Sequence, residues 1–207
     1  MTIDDLLATC EALWSAWAER GRTMTEEQWR RPTRLGDWDV RSLYAHAAMW
    51  PATLTSLVER VRDAEPAAPT AAALLRYFNA PGGIAHSMRE RTATNAREEA
   101  ARQSTAQLVE QFAVTGPQAI AAARRLGSVV VDYFGALMPL PEAVSIGVVE
   151  ATVHLLDLLD ALDQPAAEVP AAGLAHTVAV LVQMAPPVDL IEAATGRGRV
   201  ELFPLLS

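Results

Sequence analysis

Apolar side chains recur at intervals of three and four residues along several long segments of the chain, and strand-like alternation is nearly absent. In the first segment, about Ile3 to Arg20, the recurring residues are Leu6, Leu7, Cys10, Leu13, Trp14 and Trp17. This spacing places the side chains on one face of an α-helix. The pattern therefore predicts an all-α fold in which amphipathic helices bury their apolar faces against one another.

Three further long segments have the same helical spacing. One begins after Asp39, a residue type that caps helices by accepting hydrogen bonds from free first-turn amides, and it extends to Val61. Pro51 predicts a bend in this helix, because proline has no amide hydrogen to donate. The third helix is expected after Ser104, and the fourth over about residues 141–163. Four such helices predict a bundle.

A long crossover is expected between the second and third helices. Residues 63–70 have the composition of a linker, and residues 71–103 are the least periodic part of the chain, with one short helix expected near 72–79. Two short apolar helices follow the fourth long helix. We therefore expect a bundle at residues 1–165 and a helical C-terminal appendage at 166–207, packed on that bundle.

Composition excludes several classes of protein. A 207-residue chain with 51% hydrophobic residues can fold around its own core. The net charge of −8 argues against nucleic-acid binding, and no apolar run has the length of a membrane span. Cys10 is the single cysteine, so an internal disulfide is excluded, and we expect it to be a core residue. A cytoplasmic protein without nucleic-acid or membrane partners is expected.

The fourth helix contains the stretch IGVVEATVHLLD, residues 146–157. Glu150, His154 and Asp157 lie within about 60° of one another around the helix axis, in a largely apolar setting. Buried charged side chains are costly unless they are paired or bound to a metal. The remaining polar residues form a second strip that we expect to face solvent: Ser145, Thr152, Asp160 and Asp163.

Three residues are candidate metal ligands: His46 from the second helix, and Glu150 and His154 from the fourth. A spacing of four residues places Glu150 and His154 on one helix face, and the third ligand would come from a neighbouring helix. In a shared zinc site their donor atoms would lie within about 4 Å of one another. Two imidazoles and one carboxylate leave a coordination position open, as in catalytic zinc sites. A buried Glu–His hydrogen bond, or a histidine in the core, is the alternative.

Three motifs carry a resemblance to a known family: LGDWDVRSLYAHAAMW at residues 35–50, VVEATVHLLDLLDAL at 148–162 and EAATGR at 192–197. They are similar to those of the DinB/YfiT-like metal-binding helix bundles, and within these to the mycothiol-dependent maleylpyruvate isomerase branch of actinobacteria. The resemblance implies a DinB-like four-helix bundle with a long crossover and a short helical C-terminal appendage.

The same resemblance implies roles for individual residues. His46, Glu150 and His154 would be the metal ligands, and Asp157 an active-site carboxylate. The cofactors would be a divalent metal, zinc being favoured, and mycothiol or another low-molecular-weight thiol. The larger isomerases have a further C-terminal domain that contributes a substrate-binding arginine, which we do not expect within these 207 residues.

Other candidates follow from their positions. Arg197, in the sequence TGRGR, would hold a carboxylate of the substrate or the thiol cofactor, and Asn79 would line the pocket from the crossover. Asp157 would orient His154 or accept a proton beside the open metal position. His86 and His176 have no acidic partner at helical spacing, so we expect ordinary packing or surface positions for them.

Three functions fit these features. The first is an enzyme that joins a small-molecule thiol to an electrophilic substrate, or that uses the thiol to assist an isomerisation. The same ligands also suit a metal-dependent hydrolase or a non-haem iron enzyme. The third is a non-enzymatic, metal-binding or stress-related helix bundle, and a homodimer is compatible with any of the three.

Overall fold

The computed structural model describes residues 1–68, 70–197 and 204–205. Helices dominate the described chain, which confirms the expected all-α class. The α-helices are α1 (Ile3–Thr23), α2 (Glu26–Trp29), α3 (Val40–Ala47), α4 (Met49–Glu59), α5 (Ala71–Asn79), α6 (Ile84–Arg102), α7 (Thr105–Glu110), α8 (Gly116–Leu126), α9 (Leu140–Ala161), α10 (Ala171–Met184) and α11 (Pro187–Ala194). Three short strands are β1 (Val61–Arg62), β2 (Val130–Tyr133) and β3 (Ala136–Pro139).

Helix α1 anchors the core. Thr2 and Asp5 form a capping box at its beginning, and the helix ends three residues later than predicted. Trp17, which is fully buried, packs against the rings of Tyr44 and Phe112. Its indole Nε1 also donates a hydrogen bond to the carbonyl oxygen of Ala151, at 3.1 Å, and so joins α1 to α9.

The predicted second helix is divided into α3 and α4 at Ala48, close to the bend expected at Pro51. Proline cannot donate to the carbonyl four residues earlier, which is that of Ala47, so the helical hydrogen bonding is interrupted there. Asp39 caps α3 as predicted: its Oδ1 accepts hydrogen bonds from the amide of Ser42, at 2.8 Å, and from the Ser42 hydroxyl, at 2.6 Å. His46 consequently lies in the last turn of a short, well-capped helix.

The predicted third helix is also irregular. It begins after Ser104, which forms a capping box with Gln107, and it contains a π-helical segment at Gln111–Thr115 before α8. The wide turn lies just before Pro117, where a kink is expected. The side chain of Trp14 packs against Gly116, where a methyl group would come within 2.7 Å of the indole ring.

Helix α6 was not predicted, and the expectation of a single short helix in residues 71–103 was wrong. Its contact with α3 relies on small residues, because only Ala96 and Ala100 are buried. Arg41 of α3 reinforces this contact by donating to the carbonyl oxygens of Ala100, at 2.9 Å, and Gln103, at 2.7 Å. Alanines give no strong apolar periodicity in a sequence. Since α6 adds a long helix, the count of four helices in the bundle stays a prediction.

The strands form an antiparallel sheet in the order β1–β2–β3, which was also not predicted. Val131 pairs with Val61 of β1 and with Met138 of β3. Strands of two to four residues are too short for an alternating pattern to be recognised. The sheet places Val131 and Tyr133 in the core.

Helix α9 lies at the centre of the molecule and contacts α1, α3, α5 and α10. The prediction that its second polar strip faces solvent was wrong for Ser145 and Thr152, which are buried, whereas Asp160 and Asp163 are exposed. Helix α10 covers this face, and a hydrogen bond of 2.8 Å joins Ser145 Oγ to His176 Nε2. The Ser145 hydroxyl therefore joins α9 to α10, whereas the Thr152 hydroxyl donates to the Val148 carbonyl oxygen within α9 itself.

The appendage packs on the helices before it. Helix α10 contacts α1, α5 and α9, and α11 contacts α10. A boundary between residues 165 and 166 stays a prediction, and the predicted appendage includes residues 198–203 and 206–207, which lie outside the described residues. No single described helix has the length and hydropathy of a membrane span, although α10 and α11 meet these criteria as a pair bent by 117°.

Replacing Asp39 with alanine is expected to lower the free energy of unfolding by about 1 kcal/mol, because two hydrogen bonds at the beginning of α3 are lost. Urea unfolding followed by circular dichroism measures this change. Asp39→Asn is the matched control, since asparagine is an equally good cap and should retain most of the stability. Equal losses in both variants would contradict the capping role.

Candidate metal centre

The structure brings the three predicted ligands together. One donor atom each from His46, Glu150 and His154 lies within 4.8 Å of the other two. This bound is looser than the roughly 4 Å expected for ligands of one zinc ion, a distance that the His154–Glu150 pair meets. His154 Nε2 is 3.5 Å from Glu150 Oε2, and the two imidazole rings lie 5.0 Å apart, nearly perpendicular. All three side chains are half-buried. The described residues contain no second cluster of this kind.

Two helices hold these side chains in place. The packing of α3 on α9 brings the last turn of α3 against the middle of α9, where Glu150 and His154 occupy successive turns of one face. Around them, α9 is buried on most sides, through residues such as Val148, Val149 and Leu155. The site is therefore a polar patch inside an apolar contact between two helices.

Asp157 orients His154. The Nδ1–H group of His154 donates to Asp157 Oδ2 at 2.9 Å, which leaves Nε2 facing Glu150. The other carboxylate oxygen, Oδ1, accepts a hydrogen bond from Arg34 Nε at 2.7 Å. Asp157 is only 3% exposed, and each oxygen of this buried carboxylate has a hydrogen-bond partner. Of the two roles predicted for Asp157, this geometry supports orientation of the histidine.

Sequence reasoning missed Arg34, and the sequence alone does not show whether Trp38 lies in the core or in the wall of the site. Both lie between α2 and α3, in a connection without helical periodicity. The Trp38 ring lies 5.1 Å from that of His46 and 6.5 Å from that of His154, so it forms a wall of the site. The backbone turn is closed by Thr33, whose amide donates to the Trp38 carbonyl oxygen at 2.9 Å.

The metal-free site is expected to hold one extra proton, on His154. Burial by itself lowers the pKa of His154, but hydrogen bonds to Asp157 and Glu150 outweigh it and raise the pKa to about 9. Burial lowers the pKa of His46 to about 4, and the neighbouring His154 acts in the same direction. Burial disfavours the charged form of Glu150, but His154 reverses this effect and the pKa of Glu150 is lowered. At neutral pH the site therefore contains a neutral His46, an imidazolium and two carboxylates.

The donor set fits a divalent metal. Two imidazoles and a carboxylate suit zinc, and the hydrogen bond from His154 Nδ1 to a carboxylate is the arrangement found behind metal-bound histidines. Ligand atoms around one zinc ion lie within about 4 Å of one another, so small side-chain rotations would close the site. These residues would occupy three positions and leave at least one open. Their assignment as ligands remains a proposal.

The other predicted residues are placed as follows. Asn79 ends α5, and its Nδ2 donates to the Leu75 carbonyl oxygen at 2.9 Å. Arg197 follows α11 and is exposed. Their roles in binding stay predictions. His86 is exposed and His176 packs against Ser145, as expected for histidines outside the site. The buried position expected for Cys10 is confirmed.

A comparison with protein families matches residues 10–159 to the mycothiol maleylpyruvate isomerase N-terminal domain. The match covers most of the chain and includes all three candidate ligands and Asp157. The chain belongs to this family, and the predicted resemblance is confirmed. No curated protein and no solved structure matched the chain significantly.

Zinc affinity is expected to rise with pH, because zinc must displace the proton that His154 holds below about pH 9. Between about pH 6 and pH 8, the dissociation constant should fall about tenfold per pH unit as one proton is released for each zinc ion. Competition with a chromophoric chelator measures the constant. His86→Ala, which removes an exposed histidine, is the control and should leave the slope unchanged. An affinity independent of pH would contradict a protonated His154.

Proposed function

We propose that this protein is a divalent-metal-dependent enzyme that uses or modifies a low-molecular-weight thiol, in a mycothiol-dependent S-transferase or isomerase-like reaction. The observation that carries the proposal is the set of three donor atoms within 4.8 Å, on a chain that belongs to a mycothiol isomerase domain family. Zinc is the favoured metal because two imidazoles and one carboxylate are common ligands of catalytic zinc. The second reactant would be a small electrophilic molecule.

The nucleophilic sulfur must come from outside the chain. Cys10 is the single cysteine, it is 2% exposed, and burial raises the pKa of its thiol. A protonated thiol inside the core cannot act as a nucleophile on a diffusing substrate. A metal at the triad would supply the missing activation, since a cation beside a thiol lowers its pKa and favours the thiolate near neutral pH.

The protein's own residues would prepare the site for this reaction. Asp157 accepts the hydrogen bond from His154 Nδ1, so Nε2 is the nitrogen that would coordinate a metal once its proton is released. The Trp38 indole lies beside both imidazole rings, with its ring centre 5.1 Å from that of His46 and 6.5 Å from that of His154, and so contributes an apolar wall to the site. Arg197 and Asn79 are proposed to bind carboxylate or polar groups of the thiol and the substrate. A cytoplasmic location and a homodimer are further proposals, of which sedimentation equilibrium tests the second.

The same donors also suit a metal-dependent hydrolase or a non-haem iron enzyme. Family membership favours the thiol reaction, because the matched domain is named for mycothiol chemistry. A non-enzymatic metal-binding or stress-related bundle would need no open coordination position. Binding of a thiol at the metal therefore separates the proposed function from a bundle whose metal site is closed, and family membership separates it from the hydrolase and the iron enzyme.

Titration of mycothiol into the cobalt-substituted protein tests the proposal directly. Sulfur bound to cobalt adds a charge-transfer absorption band in the near ultraviolet, and oxygen ligands do not. We expect this band to appear and to saturate with added thiol. His154→Ala should lose both the cobalt and the band, whereas His176→Ala, which changes a histidine outside the triad, should retain both. A cobalt-loaded protein that gives no such band with mycothiol would contradict the proposed function.

A further inference from the structure

Arg34 makes a contact with Asp157 that spans 123 positions of the sequence. It lies between α2 and α3, and its Nε donates to Asp157 Oδ1 at 2.7 Å. The side chain of Arg34 is about half exposed, at 51%, whereas that of Asp157 is 4% exposed. The guanidinium therefore covers a buried carboxylate from the solvent side. A second carboxylate, that of Asp160, is 4.0 Å from Arg34 Nη1.

The two oxygens of Asp157 have different partners. Oδ2 accepts from His154 Nδ1 and Oδ1 accepts from Arg34 Nε, so hydrogen bonds at both ends fix the plane of the carboxylate. With the guanidinium removed, the carboxylate would be free to rotate, and a buried charge would lose its cationic partner. Either change would loosen the orientation of the His154 ring. Arg34, Asp157 and His154 thus form one continuous chain of hydrogen bonds that ends at the candidate metal centre.

We propose that Arg34 is a positioning residue of the metal centre, which strengthens metal binding by holding Asp157 and, through it, the imidazole of His154. This inference rests on the proposed function, because it requires a metal at the triad. Arg34 would not touch the metal or the substrate. The carboxylates of Asp157 and Asp160 neutralise the positive charge of Arg34. This disfavours an alternative role for Arg34 in binding an anionic ligand.

The direction in which metal affinity changes when Arg34 is removed distinguishes a positioning role from a purely electrostatic one. Acting only through space, a guanidinium near a cation site repels the metal, and its removal would tighten binding. Acting through Asp157, it orients a ligand, and its removal would weaken binding. Loss of a residue that orients a metal ligand typically lowers metal affinity by 10- to 100-fold. We expect Arg34→Ala to lower metal affinity about tenfold. This is the lower end of that range, because Arg34 is one residue further from the metal than Asp157.

Arg31 provides a matched control. It lies on the same connection and also reaches the end of α9, where its Nη1 is 2.8 Å from Asp163 Oδ2 and 3.3 Å from the Ala161 carbonyl oxygen. Replacing Arg31 removes the same charge and a similar contact between the same two segments, but no contact with Asp157. Arg31→Ala should therefore leave zinc affinity unchanged.

The experiment measures the zinc dissociation constants of the wild type, Arg31→Ala, Arg34→Ala, Asp157→Asn and the Arg34→Ala/Asp157→Asn double variant by chelator competition. Arg34→Ala is expected to raise the zinc dissociation constant about tenfold when Asp157 is present. It should cause no further change when it is combined with Asp157→Asn. Circular dichroism and urea unfolding check the fold of each variant. If Arg34→Ala does not fold, Arg34→Met replaces it, since methionine keeps most of the length of the arginine stem but has no N–H donor for Asp157.

Each outcome decides the inference. Equal zinc affinities in the wild type and in Arg34→Ala, or tighter binding in the variant, would overturn it. The inference would also be overturned if Arg31→Ala lost as much zinc affinity as Arg34→Ala. The same holds if Arg34→Ala caused its full loss of zinc affinity in the Asp157→Asn protein as well. Absence of zinc binding by the wild type would refute the metal-dependent function itself, together with this inference. A wild type that binds zinc while Arg34→Ala behaves like Arg31→Ala would overturn only the role of Arg34.

Discussion

Helix α9 is enclosed by its neighbours, and this enclosure determines how its polar residues must behave. A buried polar group is stable only when it has hydrogen-bonding partners. Ser145 is joined to His176 at 2.8 Å, and the Thr152 hydroxyl donates to the carbonyl of Val148 at 2.7 Å. On the opposite strip, Glu150 and Asp157 rely on His154. The candidate metal centre is therefore the part of α9 where charged groups, rather than hydroxyls, pair with one another, beside the core.

The large apolar stripes made most of the helices predictable, and Asp39 and Pro51 marked a helix beginning and a bend. Glu150 and His154 were predictable because charged residues recur at helical spacing inside an apolar helix, and His46 was a candidate because it lies beside the apolar stripe of another helix. Helix α6 was not, since its buried residues are alanines, and the burial of Ser145 depends on α10, which lies far along the chain. Arg34 reaches the site through tertiary contact alone, so no local pattern indicated it.

The charges of the site connect its stability with its proposed chemistry. Without metal, the imidazolium of His154 compensates for the carboxylates of Glu150 and Asp157, which is why its pKa is raised to about 9. A divalent cation would take over this compensation and release the proton. Little movement would be needed for this exchange, because the candidate ligand atoms lie within 4.8 Å of one another.

The central claim is that His46, Glu150 and His154 bind one divalent metal. Elemental analysis of the protein, expressed and purified without a metal-affinity tag, tests this claim most directly. About one equivalent of metal per chain, zinc above all, is expected in the wild type, and nearly none in a His46→Ala/His154→Ala variant that retains its helical circular dichroism. A wild type free of metal even after incubation with zinc, or a variant that retains a full equivalent, would contradict the account.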